Sequence, residues 1–424
     1  AKRLEIAKLL CWEIAKPWAD ALAEVDRTVA YGRDTAAALK ALERESARFS
    51  LDGGFLAQVR RAPLGVALCM GPYNYPLNET FATLLPALVM GNTVVVKLPR
   101  LGVLCNMPLL DAFAEAFPPG VVNILPGEGS VVVTPVIESG EVDILAFIGS
   151  AKVANALKRK HPNPNRLRSV LGLGAKNPAI VLKDADPVEA AKECLSGALS
   201  FNGQRCTALK MLFVHRSIAD KFVAELAAGM GKLKAGMPYE DGVALTPLPE
   251  SGAVDKMSAY LADAKAKGAK VFGARAGETE RTYFQPAVVY PVKKGMKLWD
   301  EEQFGPVVAV APFDEADEAL DWLAASHYGQ QASLFTRDAA AAGLPVRGPQ
   351  GLGGGDAVGD RRPAGVLHPR GRGGQAVAQG RGPSPRRPPR PPLPLPNDRR
   401  PAVAPAFTER RRVRGRWWRL SGWR

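Results

Sequence analysis

Cys206 lies in the stretch Phe201-Asn202-Gly203-Gln204-Arg205-Cys206-Thr207, a small, polar, glycine-containing setting that suits a thiol meant to react. A single cysteine is ordinarily a buried, hydrophobe-like filler of the core. Here Arg205 favours the thiolate and Gly203 lets backbone approach a substrate, both of which a nucleophilic sulfur needs. A thiolate that attacks a carbonyl creates a negative oxygen, and Asn74, in Gly71-Pro72-Tyr73-Asn74-Tyr75-Pro76, could donate its amide to it. One such donor contributes about 3 kcal/mol in a dry site, although an Asn that merely stabilises a Pro-rich turn fits that segment equally well. Lys97 and Arg100 flank Leu98-Pro99 at the end of an apolar run and suit a phosphorylated ligand. Taken alone, two solvated basic residues are the simpler account. Phe147-Ile148-Gly149-Ser150 closes another apolar run and opens a helix near Ala151, offering free N–H groups and a positive dipole end to a pyrophosphate. No Gly-x-Gly-x-x-Gly accompanies it, so the usual dinucleotide fingerprint gives no support.

The elements that must position these residues are those of an α/β protein. Gly65–Met70, Thr93–Val96, Val121–Leu125, Val142–Phe147 and Pro178–Leu182 read as short buried strands, β-branched and bounded by Gly, Pro or Asn. Helical patterns run over Pro108–Phe117, Pro187–Ser200, Ile218–Lys234 and Lys256–Lys267. This alternation predicts a parallel sheet covered on both faces. Asn74, Lys97 and Gly149 then sit at carboxyl ends of strands, where open α/β sheets hold ligands. Phe49–Arg61 turns at Asp52-Gly53-Gly54 and reads as a projecting hairpin, a device for contacts between subunits.

Composition narrows the class. No apolar stretch approaches the roughly 20 residues of a membrane span, and the chain opens inside an amphipathic helix, as a fragment would, without a secretory signal. The five cysteines are scattered, with no Cys-x-x-Cys and no nearby histidines to suggest a metal, and a reducing, cytoplasmic setting fits them best. Residues 1–342 balance 38 basic against 38 acidic side chains, whereas 343–424 carry 18 arginines, no lysine and four acids, so the tail supplies the whole net charge of +14. The tail also holds 15 glycines and 14 prolines and no apolar period. Complete exclusion of lysine reads as out-of-frame translation of a GC-rich coding sequence joined near Gly343. The alternative is an Arg-rich RNA-binding tail in which Trp417, Trp418 and Trp423 stack bases.

Residues 1–342 resemble the aldehyde dehydrogenase superfamily, and within it the NADP-dependent, non-phosphorylating glyceraldehyde-3-phosphate dehydrogenases. The resemblance rests on Pro72-Tyr73-Asn74-Tyr75-Pro76, the Lys97 strand end, Gly127-Glu128-Gly129, Phe147-Ile148-Gly149-Ser150, Gly203-Gln204-Arg205-Cys206 and Glu301-Glu302-Gln303-Phe304-Gly305-Pro306, in matching order and spacing. It implies a parallel-sheet cofactor-binding domain (1–174, with a projecting oligomerisation hairpin at 46–63), an incomplete α/β catalytic domain (175–342), and a homo-oligomer, dimer or tetramer. It further implies that Cys206 is the nucleophile, passing through a thiohemiacetal and a thioester, with Asn74 and the Cys206 N–H as oxyanion donors. Lys97, Pro99, Arg100, Gly129, Phe147, Gly149, Ser150, Glu302 and Phe304 match cofactor-binding positions. Arg100 stands where NAD-using members often carry Glu, which implies NADP preference. Arg27, Tyr75 and Arg205 match the substrate-phosphate contacts, implying a phosphorylated aldehyde, with glyceraldehyde 3-phosphate oxidised to 3-phosphoglycerate. Neither nucleic acid nor membrane is an expected partner. A semialdehyde or other aldehyde dehydrogenase, and a catalytically dead protein with a basic nucleic-acid-binding tail, are the alternatives.

One departure is chemical. Many relatives carry a general-base Glu in a Glu-Leu-Gly-Gly-Lys motif, and here Gly172 holds that position, 34 residues before Cys206. With the base gone and the family pattern ending near Ala342, weak or absent activity is the expectation.

Overall fold

The computed structural model describes residues 2–338, and two parallel-rich sheets organise them. The Arg-rich tail lies outside the described residues. The first sheet is five-stranded and wholly parallel, in the spatial order Val122–Leu125, Thr93–Lys97, Val66–Met70, Ile144–Ile148, Arg168–Gly172. The chain winds outward in one direction from Val66–Met70 and then in the other, so a crevice opens at the carboxyl ends of the central strands. Apolar clusters cover both faces, one around Leu68, Leu145 and Ile137, the other around Cys69, Val94 and Leu84.

The second sheet has six strands, ordered Lys270–Phe272, Ala287–Tyr290, Val307–Phe313, Leu209–His215, Asn177–Val181, Ser333–Phe335. It is mixed rather than wholly parallel, because Lys270–Phe272 runs antiparallel to Ala287–Tyr290. Three residues suffice there as an edge strand, and the chain returns to Ala287 through the small hairpin of Thr279–Glu280 and Tyr283–Phe284. Helices Pro187–Leu199 and Arg216–Met230 pack on one face, Ser251–Ala266 and Ala316–Ala325 on the other. Pro187 occupies the first turn and the Asp186 carboxylate accepts from the Val188 N–H at 2.9 Å, a start legible from sequence.

Some predicted boundaries move. Arg216–Met230 ends short of Lys234, capped at Gly231. The strand expected from Val142 begins at Ile144, since Asp143 turns its carboxylate onto the Val66 N–H at 2.9 Å. The segment expected as one helix from Pro108 divides into a 3-10 turn, Leu104–Leu109, and a helix, Leu110–Ala116.

A long helix, Trp18–Ser46, follows Arg3–Ile14, and both pack against the Tyr75 and Phe201 region. Beyond it, Ser50–Asp52 and Phe55–Ala57 form the expected hairpin, turning through Gly53 and Gly54, with Leu51, Phe55, Leu56 and Val59 exposed. Among the described residues, no helix is long and apolar enough to cross a membrane.

Candidate active site

The carboxyl edge of the first sheet faces the amino edge of the second, and every candidate residue of the two sheets lies along this seam. Asn74 follows Val66–Met70, Lys97 ends its strand, and Ser150 follows Ile144–Ile148, while Cys206 precedes Leu209–His215 and Glu302 precedes Val307–Phe313. Cross-links close the seam. Asn74 Nδ2 donates to the Gln204 carbonyl at 2.8 Å, Tyr73 Oη donates to Gln204 Oε1 at 3.0 Å, and the Tyr73 and Phe304 rings meet edge-on at 6.0 Å.

Cys206 is the half-buried member of five free cysteines; Cys11, Cys69, Cys105 and Cys194 are buried. Burial pushes the Cys11 and Cys69 thiols up to about 11, and those of Cys105 and Cys194 upward as well, so these four are inert at neutral pH. The loop carrying Cys206 is strained. Phe201 and Asn202 take left-handed φ values of 50° and 54°, at a cost of about 1–2 kcal/mol each. Packing and hydrogen bonds enforce them: Phe201 is buried, and the Asn202 amide donates to the Thr246 carbonyl and hydroxyl, both at 2.9 Å, while its oxygen accepts from the Thr246 N–H at 3.0 Å. Gly203 follows with φ 71°, and a Cβ there would fall 2.7 Å from the Gly305 carbonyl oxygen. Asn177 Nδ2 then donates to the Cys206 carbonyl at 2.7 Å.

Asn74 is buried, and only one of its two amide hydrogens is taken by Gln204, so a second donor remains. Its carbonyl accepts from Lys16 Nζ at 2.7 Å. Lys16 and Glu24, both passed over in the sequence, form a fully buried ion pair behind this loop. Glu24 Oε1 accepts from the N–H groups of Leu77 and Asn78, both at 3.0 Å, capping helix Asn78–Val89. The Lys16 ammonium also lies 3.5 Å from the centre of the Tyr75 ring. No local pattern marks this pair, since its meaning lies in a loop some fifty residues downstream. Burial lowers the Lys16 pKa, with Glu24 opposing the shift.

Behind Glu302 and Phe304 lie two more lysines the sequence left unassigned. Lys210 Nζ donates to the carbonyls of Gly203 and Gln303, both at 2.8 Å, tying the nucleophile loop to the Glu302 loop. Lys176 Nζ donates to the Glu301 carbonyl at 2.6 Å and to Gln303 Oε1 at 2.8 Å. Desolvation lowers Lys176 to about 7 and Lys210 to about 8. The Glu302 carboxyl is pushed up by its own burial, against the pull of Lys210.

The expected cofactor residues lie at the carboxyl edge. Lys97 is buried, its side chain in no hydrogen bond or ion pair among the described residues, and a Cβ on Gly129, which opens helix Gly129–Glu138, would fall 3.8 Å from that side chain. Burial lowers the Lys97 pKa. Pro99 is buried, and Arg100 pairs with Glu250 at the start of helix Ser251–Ala266. Ser150 caps helix Ala151–Lys160 by accepting from the Val153 N–H at 3.3 Å. The Phe147 ring closes over Gly149, where a Cβ would stand 2.6 Å away. A lysine side chain beside one helix start, with a second helix start at Ser150 on the same sheet edge, fits a phosphorylated dinucleotide.

Arg27, Tyr75 and Arg205 lie in one electrostatic neighbourhood. The Asp20 carboxylate and the Tyr75 phenol each lie within electrostatic reach of both arginines. Arg205 itself donates to Thr207 Oγ1 at 3.1 Å, and Arg27 is exposed.

Comparison with known proteins agrees with this geometry. The model of the aldehyde dehydrogenase family matches residues 1–344. The chain is 37% identical over 339 residues to an NADP-dependent glyceraldehyde-3-phosphate dehydrogenase of Streptococcus equinus, covering 79% of this chain and 70% of the relative. It is 32% identical over 345 residues to a chloroplastic aminoaldehyde dehydrogenase of Arabidopsis thaliana, covering 80% and 68%. The crystal structure of the NADP-dependent glyceraldehyde-3-phosphate dehydrogenase of Bacillus halodurans, complexed with NADP, superposes with a TM-score of 0.75 at 34% identity, covering 80% of this chain and 71% of that one. These likenesses make the protein an oxidoreductase, and the chain belongs to the aldehyde dehydrogenase family.

Proposed function

We propose that the protein oxidises a phosphorylated aldehyde, glyceraldehyde 3-phosphate, to the acid with NADP. The observation that carries the substrate is the gathering of Arg27, Tyr75 and Arg205 beside the Cys206 loop. Two guanidiniums and a phenol are a phosphate-binding set, and the Streptococcus equinus relative bears that activity in its name. The Asp20 carboxylate in the same region favours a second reading, an aldehyde with a cationic far end, as the name of the Arabidopsis relative implies for that protein.

In this reading Cys206 Sγ attacks the aldehyde carbon, and the free hydrogen of Asn74 Nδ2, with the Cys206 N–H, receives the developing oxyanion. Lys16 holds the Asn74 peptide from behind. Lys97, the helix starts at Gly129 and Ser150, and Arg100 would hold the dinucleotide, with Pro99, Phe147 and Gly149 shaping its seat. Glu302 and Phe304 would face its nicotinamide ribose and ring. Bound there, NADP supplies the hydride acceptor. Arg100, now paired with Glu250, would be the residue to hold a 2′-phosphate, which would favour NADP over NAD. The exposed hairpin supports a homo-oligomer, and five free cysteines suit a reducing, cytoplasmic compartment.

The test is NADPH formation by the chain with glyceraldehyde 3-phosphate, an aminoaldehyde and an unsubstituted aldehyde. Highest kcat/KM for the phosphorylated substrate and for NADP over NAD, abolished in Cys206→Ala, is expected. A higher kcat/KM for the aminoaldehyde would transfer the assignment to the second reading.

A further inference from the structure

Gly172 leaves the strand end without the carboxylate that activates water in many relatives, yet a carboxylate stands nearby. Glu302 lies over the same strand-to-strand link: a Cβ on Gly174 would fall 2.7 Å from Glu302 Oε2. Its other oxygen, Oε1, is buried with no hydrogen-bond partner among the described residues. Three tethers bring Glu302 toward Cys206. Lys210 bridges the Gly203 and Gln303 carbonyls, Asn177 from the Gly174 side holds the Cys206 carbonyl at 2.7 Å, and Tyr73 links Gln204 to the neighbouring Phe304 ring. The buried lysines are poorer bases, because their ammonium hydrogens are committed to the carbonyls and amide named above.

We infer that Glu302 is the general base for the hydrolytic half of the reaction, acting through its unpartnered oxygen on the water that attacks the Cys206 thioester. This rests on the reading of Cys206 as the acylated nucleophile. Water forms a C–O bond to the thioester carbon while Glu302 takes its proton. The tetrahedral adduct collapses, the C–S bond breaks, the acid leaves, and the Cys206 thiolate is regenerated, with the Glu302 proton passing to solvent. Burial strengthens Glu302 as a base by raising its pKa. Against that burial the ionisation is held down by Lys210, by the Ala175 N–H that hydrogen-bonds the carboxylate, and by Lys176 and Lys256, with Tyr73, Tyr260 and Tyr328 around them.

A cofactor-free assay isolates this step. 4-Nitrophenyl acetate acylates a reactive thiol with release of nitrophenolate, so the burst reads acylation of Cys206 and the steady state reads thioester hydrolysis. Expected are a near-stoichiometric wild-type burst, lost in Cys206→Ala, and a steady state that rises with pH through an ionisation above the ordinary carboxylate range. Glu302→Gln, an isosteric change, should keep the burst within twofold, slow the steady state about 100-fold and lose that pH dependence. A steady state within twofold of wild type, a persisting pH dependence, or loss of the burst in Glu302→Gln would each overturn the assignment to Glu302. Absence of a burst from the wild type would instead refute the reading of Cys206, and this inference with it.

Discussion

At the scale of the residue, the chemistry depends on side chains that never meet the substrate. Lys16 is buried only because Glu24 neutralises it and because the Asn74 carbonyl and Tyr75 ring complete its shell. Buried pairs of this kind add little net stability relative to an apolar substitute, but breaking one leaves an uncompensated charge. Lys16→Met should therefore lower the unfolding free energy by about 3–5 kcal/mol in urea titrations, and Lys16→Met/Glu24→Gln should recover part of the loss. A single-variant loss below about 1 kcal/mol would mean that the pair is solvated in solution.

At the scale of the element, the turn Phe201–Gly203 decides where the nucleophile points. Three successive left-handed residues between helix Pro187–Leu199 and strand Leu209–His215 require the Thr246 clamp and a glycine at the tightest approach. Gly203→Ala places a methyl 2.7 Å from the Gly305 carbonyl and 2.9 Å from that of Ala198. The backbone must shift, since neither obstacle is a flexible side-chain end. We expect a loss of about 2–3 kcal/mol and suppression of Cys206 labelling by a thiol reagent, with secondary structure intact by circular dichroism. Labelling at the wild-type rate would show that the turn does not aim the thiol.

At the scale of the molecule, the seam between the sheets is a buried polar layer whose cations are held partly discharged. Lys176 near 7 and Lys210 near 8 bind fewer protons folded than unfolded between those values and the ordinary lysine value of 10.5. With the unfolded chain binding more protons, stability rises with pH across that interval. The urea midpoint should therefore increase from pH 7 to pH 9, and Lys176→Met should flatten the increase. An unchanged slope in that variant would place the titration elsewhere.

Much of this was legible in the chain itself. Cys206 between Arg205 and Thr207, Asn74 between two tyrosines, and Lys97 at a β-branched strand end announce themselves because small-residue loops at strand ends are local, short-range patterns. Four strands of the first sheet are equally local in origin, since each carries its own β-branched pattern, whereas the edge strand Arg168–Gly172 does not stand out in the sequence. What no window of sequence contains is the closure of one sheet's carboxyl edge on the other's amino edge. That closure joins Lys16 to Asn74, 58 positions away, and Lys210 to Gln303, 93 positions away. The antiparallel edge Lys270–Phe272 is also hidden from the sequence, because its three residues carry too little pattern to place. Residue type and spacing determined which groups could do the chemistry. Only the tertiary structure decided that lysines would be buried behind them and that Glu302 would stand, with one oxygen unpaired among the described residues, against Gly174, because desolvation and long-range hydrogen bonding exist only once the two sheets have met.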